Sequence, residues 1–148
     1  MHVTPPPTDP ATVLAFDFGT RRIGVAVGNT ITRTATALTT IEEARDDVRA
    51  AAIAALVGDW KPAQLVVGVP VHADGNAHAM TAQARDFARA LARRFALPVA
   101  EVDERYTTEI AQQMLDASQT PRARHRAVRD QVAAQVILQS WFDDPDAA

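Results

Sequence analysis

At 148 residues the chain has the length of one domain and can bury most of its apolar surface in a single core. Hydrophobic residues make up 47% and charged residues 22%, which excludes a chain that is disordered throughout. The absence of cysteine excludes a disulfide framework, a thiolate nucleophile and a cysteine-ligated zinc or iron-sulfur site, so any metal must sit on oxygen or imidazole. A formal net charge of -3 argues against a protein that coats nucleic acid through bulk positive charge.

No apolar run approaches the roughly 18 residues of a membrane span, and the start carries Pro5, Pro6 and Pro7 rather than an apolar signal segment. Residues 1–10 are therefore expected to be a disordered extension, and 11–148 a single cytoplasmic domain with no membrane partner.

Val13–Phe16 is a short apolar run closed by Asp17-Phe18-Gly19-Thr20, and Ile23–Val27 follows after Arg21-Arg22, which predicts two strands joined by a tight turn. Thr34–Thr40 alternates threonine with small or apolar residues and extends these to a three-stranded antiparallel meander. From Glu43 the period changes. Val48, Ala52, Ala55 and Leu56 recur at helical spacing, and Gly58 is the expected stop.

Gln64–Gly68 is nearly all apolar, as a strand covered on both faces must be, and Pro70 ends it. Met80, Ala84, Phe87, Ala88, Leu91 and Phe95 form the clearest amphipathic stripe in the chain. Pro98–Val102 reads as another strand, Thr107 as the cap of a helix carrying Ile110 and Met114, and Val128–Phe142 as a final helix.

Three leading strands followed by alternating helices and strands imply an α/β fold with a five-stranded mixed sheet, antiparallel at one side and parallel at the other, with helices on both faces. Chemistry in such sheets gathers at the carboxyl ends of the parallel strands. Asp17 ends the first strand, Asp103-Glu104 ends the last, and Asp130 starts the final helix. Converging carboxylates repel one another unless a cation intervenes, so Mg2+ or Mn2+ is the expected cofactor. A pair of such ions roughly 4 Å apart can activate water and stabilise a leaving oxygen in phosphodiester hydrolysis. Taken singly, each acid has a plainer reading. Asp17 can satisfy turn amides, Asp130 can complement a helix dipole, and Asp103 or Glu104 can be a surface acid.

The stretch from Ala15 to Gly28, reading AFDFGTRRIGVAVG, resembles the signature of the YqgF family, the Holliday junction resolvase-like or pre-16S rRNA nucleases. Val67-Gly68-Val69-Pro70 with Asp74-Gly75 is similar to that family's VGLP loop and following DG pair. Asp103-Glu104-Arg105-Tyr106-Thr107-Thr108 resembles its DER block, and Asp130 with the helix behind it resembles its closing acid. Four blocks in register, from about Val13 to Asp143, make the resemblance specific. It implies an RNase H-like fold, a metal-dependent hydrolase and maturation of the 5' end of 16S rRNA during ribosome assembly, with Asp17, Glu104 and Asp130 as the catalytic, metal-holding acids. The chain departs from the family pattern at His72, where asparagine is frequent, and at Arg129, where an apolar residue is common.

Arg21, Arg22 and Arg105 adjoin the acidic edge in sequence and are candidates to grip flanking phosphates. Arg122, Arg124 and Arg126, with Arg129, crowd into a stretch with no acid between Asp116 and Asp130, which reads as a basic loop closing on substrate or as a solvated surface run. His72, His78 and His125 are not spaced as a metal pair. Gly19 is expected to supply a positive backbone angle to the hairpin, and Gly24 to admit a close neighbour to the second strand.

Three other readings stand beside the rRNA nuclease. A Holliday junction nuclease shares its chemistry, a non-catalytic RNA-binding assembly factor would share its partner, and an actin-like or sugar-kinase-like ATPase would share the DFGT turn. Such ATPases close two domains around nucleotide, whereas this chain has room for one.

Overall fold

A computed structural model describes residues 11–70, 75–103, 113–114, 116–117 and 125–144, with the backbone alone at 75–78 and 125–127. The expected N-terminal extension, Glu104, Arg105, Arg122, Arg124 and most of the helix proposed to follow Thr107 lie outside the described residues. Of that helix Met114 is described, helical and 40% exposed.

Strands β1 (Thr12–Asp17), β2 (Arg22–Asn29) and β3 (Ala35–Glu42) form the meander, antiparallel throughout. They are followed by α1 (Asp46–Trp60), β4 (Gln64–Val69), α2 (Gly75–Phe95), β5 (Val99–Asp103) and the last helix, here α3 (His125–Asp143). The sheet order is β3-β2-β1-β4-β5, with β4 parallel to both β1 and β5. The predicted mixed sheet is the observed one.

Alternation along the strands sorts the core into two layers. Leu14, Phe16, Ile23, Val25, Leu65 and Val67 face α1 and α2, where they meet Ile53, Ala84, Ala88 and Leu91. Val13, Ala15, Ala26 and Val66 face α3, where they meet Ala134, Ile137, Leu138 and Phe142. Each large apolar side chain buried this way contributes about 1.5–3 kcal/mol. The α2 stripe is the buried one at Ala84, Ala88 and Leu91, with Met80, Phe87 and Phe95 half-buried.

Helix α1 departs from the expected phase. Val48 and Ala55 are exposed, and the buried positions are Arg49 and Ile53, backed by Ala52, Leu56 and Val57. Nor does Gly58 stop it. The helix runs on to Trp60 and closes at Lys61, which takes the left-handed conformation (φ 48°) and donates its N–H to the Val57 carbonyl at 2.9 Å. Helix α2 is likewise followed by a non-glycine residue, Ala96, in that conformation (φ 53°).

Candidate active site

Asp17 is the last residue of β1, and the alternation that sends Val13 and Ala15 toward α3 gives Asp17 the same side. Its direct register partners are both glycines, Gly24 on β2 and Gly68 on β4.

Gly24 has a consequence for α3. A Cβ built there would lie 1.8 Å from the backbone oxygen of Asp130 and 3.0 Å from the Gln131 nitrogen. The α3 backbone therefore rests directly on β2 at the position paired with Asp17, which brings Asp130 to the same face and edge of the sheet. The expected close approach at Gly24 is this helix. Gly19 takes no positive φ. Glycine fits there because a Cβ would lie 2.5 Å from the Arg22 carbonyl oxygen.

Asp130 sits in the second turn of α3 rather than at its start, so the dipole reading does not describe it. Its Oδ2 accepts a hydrogen bond from Arg22 Nε at 2.7 Å, with the two side chains 17% and 26% exposed. Arg22, expected to grip substrate phosphate, is thus engaged with an acid of the site, while Arg21 is exposed on the turn. Arg126 and Arg129 lie on α3, so the basic stretch is helical from residue 125 onward and not a loop throughout.

Asp103 ends β5 paired with Val69, which belongs to the core layer under α1 and α2. Two residues earlier Glu101 meets Arg85 of α2 at 3.3 Å. Asp103 thus carries the parity of the sheet face opposite Asp17. Among the described residues no group of three acids or imidazoles suited to a metal is assembled, and Glu104, expected to complete one, lies outside them.

Sequence reasoning passed over Arg49, the buried charged residue of α1. Its Nη1 donates to the Thr20 carbonyl at 3.1 Å and its Nη2 to the Gly19 carbonyl, while the guanidinium carbon lies 5.1 Å from the centroid of the Phe18 ring. The available signal was a cation four residues before Ile53, on the stripe that also carries Leu56 and Val57.

This sheet, with α3 on one face and α1 and α2 on the other, is the RNase H-like architecture of the RuvC resolvases. Thermus thermophilus RuvC in complex with a Holliday junction superposes with a TM-score of 0.56 at 14% identity, covering 89% of this chain and 93% of that one. A second Thermus thermophilus RuvC structure gives 0.50 at 13% identity, covering 88% and 93%.

The family is set by sequence. Residues 11–144 match the model of the RuvX family, described as Holliday junction resolvase, and the chain belongs to that family, the one its four sequence blocks resemble. A relative from Chromobacterium violaceum, named "Putative pre-16S rRNA nuclease", is 52% identical over 136 residues, covering 91% of this chain and 99% of the relative. One of the same name from Dechloromonas aromatica is 51% identical over 134 residues, covering 90% and 92%. Among the described residues no helix is long and apolar enough to cross a membrane.

Proposed function

We propose that this chain is a Mg2+- or Mn2+-dependent nuclease of the cytoplasm that hydrolyses phosphodiester bonds in structured RNA, with maturation of the 5' end of pre-16S rRNA as its task. The observation that carries the reading is the seating of the α3 backbone on Gly24, which sets the residue bearing one carboxylate, Asp130, against the register partner of the other, Asp17. The relatives' names supply the substrate.

The donor set fits a hard cation. Asp17 and Asp130 offer oxygen alone, and the chain has no thiolate to select a softer metal. Asp17, Asp130 and Glu104 would hold the ion. Glu104 is taken over Asp103 because Asp103 carries the parity of the sheet face opposite Asp17. When bound, such an ion supplies a more acidic water and neutralises charge that develops on the leaving oxygen.

The chain's own groups do the positioning. Arg22 holds the Asp130 carboxylate in one orientation through Nε, and a guanidinium has further N–H groups with which to donate to a phosphate. Arg21, Arg105, Arg122, Arg124 and Arg126 bind phosphates flanking the scissile bond, fixing the backbone without reading bases.

The test is cleavage of a precursor rRNA fragment and of a four-way DNA junction by one preparation, with and without Mn2+, beside the Asp17→Asn variant. The expected result is Mn2+-dependent cleavage of the RNA that Asp17→Asn abolishes with affinity retained. Turnover by Asp17→Asn free of wild-type enzyme would overturn the site. Cleavage confined to the junction would move the substrate to branched DNA, and binding without cleavage would leave an assembly factor.

A further inference from the structure

We infer that Arg49 is a positioning residue for the nuclease reaction, a buried cation that holds the turn after Asp17 from the opposite face of the sheet; the inference rests on the function proposed above. Asp17 and Phe18 part at the end of β1. Asp17 takes the α3 face, and Phe18 packs into the layer under α1 and α2, 5.0 Å from Phe87 between ring centroids. Arg49 grips this second side at three points: the Phe18 ring and the carbonyls of Gly19 and Thr20.

Those carbonyls belong to consecutive peptide units. A guanidinium reaches both at once because its donors form a rigid planar fork, whereas an ammonium is a point donor. Two fixed peptide planes, Gly19–Thr20 and Thr20–Arg21, together with the held Phe18 ring restrict the torsions by which the strand end carrying Asp17 can swing. Arg22 stands at the far end of the same turn and holds Asp130, so one short segment joins both carboxylates to a single anchor.

The anchor comes at a cost in desolvation. Arg49 is 6% exposed, and burial pushes its pKa below the ordinary arginine value, with Asp46 opposing the shift. It stays charged across the working range nonetheless. A buried side chain serving only to fill space would be better apolar. Arg49 and Thr20 also line an open cleft of about 620 Å³ between α1 and α2, so a small cation can reach the Arg49 site from solvent.

The test uses Arg49→Lys, Arg49→Met and Arg49→Ala, assayed for single-turnover cleavage of the RNA at saturating enzyme and Mn2+, for RNA affinity, and for thermal stability. Positioning predicts that Lys and Met each lose on the order of tenfold to a hundredfold in rate, as a misplacement approaching 1 Å would produce. RNA affinity should stay within about a factor of two, since Arg49 lies on the face away from the carboxylates. Added guanidinium ion should restore part of the rate to Arg49→Ala and none to Arg49→Met, whose side chain fills the site.

A merely structural arginine would lower stability while leaving the rate of the folded molecules at the wild-type value, and that result would overturn the inference. A second readout needs no catalysis. The amide resonances of Thr20 and Arg21, each following a carbonyl that Arg49 holds, should shift in Arg49→Met, with those of Ala134 and Ile137 unmoved. Unshifted turn resonances would overturn the clamp itself. Failure of wild-type enzyme to cleave any substrate would overturn the proposed function and with it the catalytic part of this role, a result distinguishable from unshifted resonances.

Discussion

Replacing Gly24 by alanine adds one methyl group at the point where α3 touches the sheet. The new Cβ would fall 1.8 Å from the Asp130 backbone oxygen and 2.3 Å from its carbonyl carbon. Reaching ordinary contact at 3.4 Å requires the helix backbone to retreat by 1.6 Å, the difference between the two distances. Backbone cannot rotate aside as a side chain would, so the cost belongs at the upper end of the overpacking range, about 3 kcal/mol. For a domain of this size that lowers Tm by roughly 6–12 °C. The same retreat carries Asp130 away from Asp17, and a displacement beyond 1 Å at a reacting centre is worth on the order of a hundredfold in rate. Gly58→Ala is the control: a Cβ there meets nothing within 4 Å, and alanine in an exposed helix turn stabilises by up to about 1 kcal/mol. Thermal denaturation of both variants with single-turnover cleavage by Gly24→Ala tests the pair. A Gly24→Ala protein with wild-type Tm and rate would refute the seating of α3 on β2 and the site built on it.

At the end of β5 the parity of the strand predicts that Asp103→Asn keeps cleavage within a few-fold of wild type while Glu104→Gln abolishes it, measured as single-turnover rates in Mn2+; the reverse pattern would exchange their roles. The arginine cluster should contribute binding rather than chemistry, because guanidinium groups hold phosphate oxygens but do not ligate metals. Replacing Arg122, Arg124 and Arg126 together by alanine is expected to weaken RNA affinity. Every phosphate deprived of its arginine should shallow the plot of log affinity against log salt by roughly 0.7 for a single strand or 0.9 for a duplex. Titrations at several salt concentrations in Ca2+ read this directly, and an unchanged slope would assign the cluster to solvated surface.

The sheet was legible because its central strands are written in one alphabet. Leu14–Phe16 and Leu65–Val67 are uninterrupted apolar runs buried on both faces, and only the middle of a two-layered α/β domain requires that. Helix α1 was misread for a physical reason. Its buried stripe runs through an arginine, and a hydrophobic-period reading discards the residue whose charge is satisfied by backbone carbonyls distant in sequence. The glycine rule failed at Gly58 because Lys61 adopts the left-handed cap in its place. At the site, Asp17 could be placed from its strand end alone. Asp130 was named by its family resemblance and not by local spacing, since what brings its backbone to this edge is the missing side chain of Gly24, a contact 106 residues away that no local pattern records. The engagement of Arg22 with Asp130 was hidden in the same way, because spacing along the chain does not reveal which acid a turn arginine meets.

The central claim is that Asp17 and Asp130 hold one metal site. Calorimetric titration of Mn2+ into wild-type protein, Asp17→Asn and Asp130→Asn, with no nucleic acid present, tests it most directly. Loss of a charged oxygen ligand from a shared site predicts that each substitution alone weakens Mn2+ binding by on the order of tenfold or more, with the double variant little worse than the weaker single one. Wild-type Mn2+ affinity in either single variant, or fully additive losses in the double one, would contradict a shared site.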